Sequence, residues 1–249
     1  MKVAFLGATR GMGRELARLM VERGDALCVL GRSTDRLAQT RKDLELRADA
    51  AEVHTAPCDL LDRARFGAAL DAARTKLGGL DCVVVTAGAF ATTAVLEQDV
   101  ETRDALLQTN FTNTIHFCEE ARRRLLERAS PAHPARLVVF SSVAGERARK
   151  PVRIYGAAKA GLSHYLDGLD HNDRGRGLYT IAVRPGFVRT EMTAELEAPP
   201  FAGDPTEVAR QVLRAIDRGT PVVYAPPIWR FVMMAIRALP RFVMRRIDF

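Results

Sequence analysis

Along the chain, short apolar and β-branched runs alternate with longer stretches whose apolar positions recur every three or four residues. The short runs, at residues 3–6, 27–30, 52–56, 81–86, 137–141, 179–183 and 222–224, predict strands. Helical periods cover 13–23, 35–47, 63–77, 100–128, 155–170 and 206–218. Strands and helices in alternation need right-handed crossovers, which gather the strands into one parallel sheet with helices on both faces. The expected fold class is therefore α/β, a single doubly wound domain on a seven-stranded parallel sheet, with ligands bound at the carboxyl ends of the strands. A chain of 249 residues fits one such domain, since α/β folds routinely run to about 250. That domain is expected over residues 1–225, followed by a basic amphipathic segment over 226–249.

No internal repeat, low-complexity tract or Gly/Ser linker breaks this pattern. A composition of 47% hydrophobic and 27% charged residues excludes a disordered or collagen-like chain. No apolar stretch approaches the roughly 20 residues needed to cross a bilayer. The first apolar run covers only residues 3–6, too short for a signal peptide, so the cytosol is the expected compartment. Cys28, Cys58, Cys82 and Cys118 form no CxxC pair and no Cys/His cluster, which predicts reduced core thiols and no metal site. The net charge is +7, yet residues 226–249 hold +4 of it and the remaining 225 only +3. With no basic stripe in the body, nucleic acid is not an expected partner.

The first strand runs straight into Gly7-Ala8-Thr9-Arg10-Gly11-Met12-Gly13 and then a helix. Glycines let a backbone turn tightly against a pyrophosphate, and the helix amino terminus offers free N–H groups and partial positive charge. An NAD enzyme would place a carboxylate at the end of the second strand. Here that strand ends in Gly31-Arg32-Ser33, and a guanidinium matches the oxygens of a 2′-phosphate. Together with Arg10 inside the loop, Arg32 points to NADP(H) rather than NAD(H). Tyr155 and Lys159 lie four apart on a predicted helix and so share one face. An ammonium beside a phenol lowers its pKa from about 10 and makes it a competent general acid or base.

The glycine spacing resembles that of the short-chain dehydrogenase/reductase family, and further motifs follow in the family's order. Ser142 stands thirteen residues before Tyr155, and the arrangement resembles the family's Ser…Tyr-x-x-x-Lys triad. Thr109-Asn110-Phe111 resembles the segment whose Asn bends the long middle helix and holds a relay water. Asp59-Leu60 resembles the adenine-contacting pair, although a helix N-cap is an equal reading of Asp59. Ala87-Gly88 resembles the fourth-strand turn, and the run from Arg184 to Thr190 resembles the nicotinamide loop, with Pro185, Gly186, Val188 and Thr190 at the contact positions. Thr86 departs from the family's second Asn, and its hydroxyl replaces only some of an amide's hydrogen bonds. The resemblance implies a Rossmann fold, NADPH as hydride donor, Tyr155 as proton donor, Ser142 on the developing oxyanion, Lys159 on the Tyr155 pKa and the nicotinamide ribose, and Asn110 in the relay.

The substrate, a carbonyl compound or alcohol, is expected between residues 143–154 and 191–203. Arg147, Arg149, Lys150 and Arg153 read either as an anionic head-group site or as a solvated loop. Residues 190–203, with Met192, Leu196 and Phe201, read as an apolar lid. In the C-terminal segment, Arg230, Arg237, Arg241 and Arg245 fall on one helical side, and Pro240 should open a second short helix. Two readings stand for residues 228–249: contact with an anionic membrane surface, or packing on the domain or a partner subunit. The segment resembles tails of family members that reduce lipid-linked substrates, and the resemblance implies a homodimer or homotetramer. A non-catalytic NADP-binding regulatory protein on the same fold is the alternative to the ketoreductase.

Overall fold

The computed structural model describes residues 1–48 and 51–247. Every predicted strand forms, with ends displaced by at most two residues: β1 (Lys2–Leu6), β2 (Ala26–Gly31), β3 (Val53–Pro57), β4 (Cys82–Val85), β5 (Ala135–Phe140), β6 (Leu178–Pro185) and β7 (Val222–Ala225). They form one sheet in the order β3-β2-β1-β4-β5-β6-β7, and each neighbouring pair is parallel. The order reverses between β1 and β4, which opens a crevice beyond their carboxyl ends.

Among the described residues, ten α-helices connect and flank the strands: α1 (Gly11–Glu22), α2 (Thr34–Glu45), α3 (Phe66–Leu77), α4 (Thr93–Gln98), α5 (Val100–Leu107), α6 (Asn113–Leu126), α7 (Arg153–Asp173), α8 (Pro205–Arg218), α9 (Ile228–Ala238) and α10 (Arg241–Met244). Two depart from expectation. The short α4 carries no strong apolar period, and the single helix predicted over 100–128 is α5 and α6 joined by a π-helical turn, Gln108–Thr112.

The strands are buried on both faces, and β1 shows how. Val3 and Phe5 join one cluster with Leu16 and Met20 of α1 and Val212 and Ile216 of α8. Ala4 and Leu6 join the other with Phe66 of α3, Phe117 of α6 and Leu162 of α7. That alternation is the period-two geometry of a strand, and each fully buried large side chain contributes about 1.5–3 kcal/mol. Local signals fix the ends of α8: Asp204 Oδ1 accepts from Thr206 N at 2.9 Å and Glu207 N at 3.1 Å, Pro205 opens the helix, and Gly219 closes it at φ +63°.

The C-terminal segment packs on the domain through one face. Trp229 and Met233, four apart on α9, are buried against Val143, which follows Ser142. Phe231 and Met234 on another face are exposed, and Pro240 caps α10 as expected. Asp248 and Phe249 lie outside the described residues. Among the described residues no helix is long and apolar enough to cross a membrane, and no cluster of His, Cys, Asp and Glu could hold a metal ion.

Candidate active site

The loop between β1 and α1 needs its glycines. Gly7 adopts φ +104° and Gly11 φ +50°, left-handed conformations that other residues resist. At Gly13 the constraint is contact: a Cβ would stand 2.4 Å from Gly7 O and 2.4 Å from Thr86 Oγ1. Thr86, the departure from the family pattern, donates from Oγ1 to Gly7 O at 2.9 Å, so the hydroxyl ties the end of β4 to the glycine turn. Arg10 precedes α1 in extended conformation and its side chain does not cap the helix, which leaves first-turn N–H groups for an anion.

This loop forms one wall of a cleft of about 440 Å³. Gly7, Thr9, Arg10, Gly11, Met12 and Gly13 line it together with Arg32 and Ser33 after β2, and Asp59 and Leu60 after β3. Ala87 and Gly88 after β4, and Thr190 opposite, complete the predicted set that reaches it. Arg36, from the first turn of α2, is a third guanidinium on the same wall as Arg10 and Arg32. All three are exposed, and none has a side-chain partner among the described residues. The glycine cradle, free helix N–H groups and unpaired guanidiniums fit a phosphorylated dinucleotide. Ser33 and Asp59 have local duties too: Ser33 Oγ caps α2 by accepting from Arg36 N at 3.4 Å, and Asp59 Oδ1 accepts from Leu61 N at 3.0 Å. The capping role anticipated for Asp59 is thus met in a turn, not at a helix end.

Pro185, Gly186 and Val188 do not line this cleft. Pro185, the last residue of β6, and Val188 in the loop that follows are buried, and the space a Cβ would take at Gly186 is filled by the Trp229 indole, 2.1 Å away. Their side of the loop faces inward because α9 packs there, a contact that local sequence does not contain.

The four chemical residues converge beside the cleft. Ser142, two residues past the end of β5, caps a short 3-10 turn; its Oγ accepts from Ala144 N at 3.1 Å, which leaves the hydroxyl proton to donate. Ser142 lies beside Tyr155 and favours its phenolate form. Lys159, one turn below Tyr155, is 4% exposed; its Nζ donates to Phe140 O at 2.9 Å and lies 5.9 Å from the Tyr155 ring centroid. The neighbouring Ser141 is buried and structural, bonded to Ser163 Oγ and Lys159 O. Asn110 sits in the π-helical turn, where Nδ2 donates to Ala89 O at 2.7 Å and Leu106 O at 3.1 Å while Oδ1 accepts from Ala89 N at 3.3 Å. Its amide thereby pins the chain after β4 to the middle helix. A Cβ at Gly88 would meet Asn110 Oδ1 at 2.8 Å and Lys159 Nζ at 3.7 Å, so this glycine lets the three come together.

The expected lowering of the Tyr155 pKa is corrected by the protein's own surroundings. Burial pushes the phenol up to about 12, and the neighbouring Ser142 hydroxyl and the Arg149 charge offset only part of that. Burial also pulls Lys159 down to about 8, so desolvation dominates both partners. Arg149, with its guanidinium drawn below the usual range by burial, is the cation that acts on Tyr155 here. Sequence left Arg149 as one of four basic loop residues, and no spacing rule separates it from its neighbours. Arg36 carried a signal that was missed, since it stands one helical turn past Arg32. The four cysteines are buried and unpaired as expected, and burial pushes each thiol upward.

The model of the short chain dehydrogenase family matches residues 2–200. The chain belongs to that family. An uncharacterized oxidoreductase of Mycobacterium tuberculosis (strain ATCC 25618 / H37Rv) is 34% identical to this short-chain dehydrogenase over 246 residues, covering 98% of this chain and 96% of the relative. A variant of actinorhodin polyketide ketoreductase, solved with NADPH, superposes with a TM-score of 0.78 at 25% identity, over 89% of this chain and 94% of that one. A short-chain dehydrogenase/reductase from Burkholderia phymatum, solved with NAD, gives a TM-score of 0.81 at 22% identity, over 93% of this chain and 91% of that one. The seven-stranded Rossmann-like sheet expected from the hydrophobic pattern is thus the family's fold, and the protein is an oxidoreductase.

Proposed function

We propose that this protein is an NADPH-dependent ketoreductase in which Tyr155 is the general acid. The observation that carries the reading is the convergence of Ser142, Tyr155 and Lys159 beside a glycine-lined cleft, next to its Gly88, while three unpaired guanidiniums line the same cleft. The ketoreductase neighbour solved with NADPH supports it. Bound NADPH would supply the hydride for the carbonyl carbon. Tyr155 gives its phenolic proton to the carbonyl oxygen, and the C=O π bond becomes C–O–H. Ser142, whose Oγ is held by Ala144 N, donates to that oxygen as charge develops. Lys159 and Arg149 stabilise the phenolate left behind, and Asn110 reconnects the site to solvent. Arg10, Arg32 and Arg36 hold the 2′-phosphate, while the Thr9–Gly13 turn and first-turn N–H groups of α1 hold the pyrophosphate. Pro185, Gly186, Val188 and Thr190 form the loop beside the nicotinamide.

The same reading assigns a lipidic or carrier-linked ketone as substrate and an anionic membrane surface as the place where α9 and α10 rest. Ile228, Phe231, Met234 and Phe242 are 41–60% exposed, and Arg230, Arg241 and Arg245 stand exposed among them. The test is parallel titration with NADPH and NADH, then NADPH oxidation against acyl, steroid and lipid-linked ketones, with co-sedimentation on anionic vesicles. We expect NADPH to be preferred, the preference to fall about 10-fold or more in Arg32→Ala, and turnover to drop by about 10²–10⁴ in Tyr155→Phe with NADPH binding retained. Preference for NADH overturns the cofactor assignment. Tight NADPH binding without turnover on any ketone returns the regulatory reading.

A further inference from the structure

The chain's single tryptophan is the residue by which the C-terminal helix meets the lid. Trp229 is 8% exposed, its ring lies against Gly186, and its Nε1 donates to Phe201 O at 3.2 Å. Phe201 belongs to the segment 190–203, whose first residues, Thr190, Glu191 and Met192, line the cofactor cleft. The base of that segment is closed by backbone bonds, Arg189 N to Gly203 O at 3.0 Å and Gly203 N to Phe187 O at 2.8 Å. Beyond this base, the Trp229 indole ties the segment to α9. The far end of α9 is held in turn by the Ser142 loop, where Arg147 Nη2 donates to Leu239 O at 2.7 Å and Glu146 Oε2 lies 3.6 Å from Arg237 Nη1. One helix therefore touches the lid, the loop after β6 and the turn that carries Ser142.

We propose that Trp229 is a positioning residue that latches the 190–203 segment over the cofactor cleft, making the C-terminal helix part of the active site. The cofactor half of this proposal rests on the NADPH reading, and the latch itself does not. Trp229→Phe keeps an aromatic ring in the cluster but removes the N–H donor together with part of the indole that lies against Gly186, so Met233→Ala serves as the packing control. The variant should release NADPH about fivefold faster in stopped flow, the factor expected for one lost hydrogen bond. Glutamyl endopeptidase should cut it at the exposed Glu195 and Glu197 faster by a similar factor. Met233→Ala, which thins the same cluster without touching the bond, should lower Tm while leaving both rates within twofold of wild type. In the wild-type protein the emission of the sole tryptophan should shift to the red with the time course of lid cleavage. The proposal is overturned if Trp229→Phe matches wild type in both rates, if Met233→Ala reproduces its effects, or if the emission does not move when the lid is cut. Should wild type not bind NADPH, the cofactor reading fails, and cleavage and emission still decide the latch.

Discussion

Lys159→Met probes the balance between burial and charge at the centre of the site. The lysine is 4% exposed and titrates at about 8 instead of 10.5, because desolvation opposes its charged form. At about 1.4 kcal/mol per tenfold change in proton affinity, carrying that charge inside costs the fold about 3 kcal/mol. The folded pKa lies below the unfolded one. Below pH 8 the side chain is protonated in both states and the cost is complete. Between pH 8 and 10.5 the unfolded chain keeps a proton that the folded protein has released, so stability rises with pH. Methionine fills similar space without charge but leaves Phe140 O without its donor, a loss of about 1 kcal/mol at every pH. Lys159→Met should therefore be about 2 kcal/mol more stable than wild type at pH 7 and about 1 kcal/mol less stable by pH 10.5. Urea unfolding at half-unit steps from pH 7 to 10.5 measures both curves, and NADPH oxidation should be lost in the variant throughout. Curves that run parallel, or a variant less stable at pH 7, would show that the ammonium is not desolvated as the geometry requires.

Three other substitutions test the frame around the site. Gly13→Ala should abolish NADPH binding measured by calorimetry, because its Cβ meets Gly7 O at 2.4 Å, a backbone carbonyl fixed by the glycine turn, and Thr86 Oγ1 at the same distance. Thr86→Val removes the bond to Gly7 O and should cost about 1 kcal/mol in urea unfolding, with weaker NADPH binding. Asp173, fully buried, is pushed up by desolvation, but Arg122 and Arg176 outweigh this and hold its carboxyl below the usual range. Asp173→Asn should lose about 3 kcal/mol at pH 7. Since the folded pKa is depressed, the difference from wild type should shrink as pH falls through and below the ordinary carboxylate range, and unfolding curves at pH 7 and pH 3 compare the two.

Much of the fold was legible because its signals are local. A run such as Val3–Leu6 is continuous because both faces of β1 are covered, and the glycine loop follows at once because the chain must turn there. Tyr155 and Lys159 share a face by helical spacing alone. The break in the middle helix was legible only through the resemblance of Asn110, since apolar spacing runs on through residues 100–128 while the amide's partners, Ala89 and Leu106, decide where the π turn falls. The short α4 escaped because six residues carry too few periods to register.

By itself, then, the sequence determined the order of strands and helices, the glycine loop after β1 and the spacing that puts Tyr155 and Lys159 on one helix face. The tertiary structure alone decided the electrostatics of that group and what stands behind it. Desolvation sums over every neighbour, so Tyr155 rises to about 12 despite a lysine four residues away, and Arg149 becomes the cation it senses. Trp229 reaches Gly186 and Phe201 across 43 and 28 residues of chain, and no local period encodes a contact whose partners are set by how β6, the lid and α9 pack.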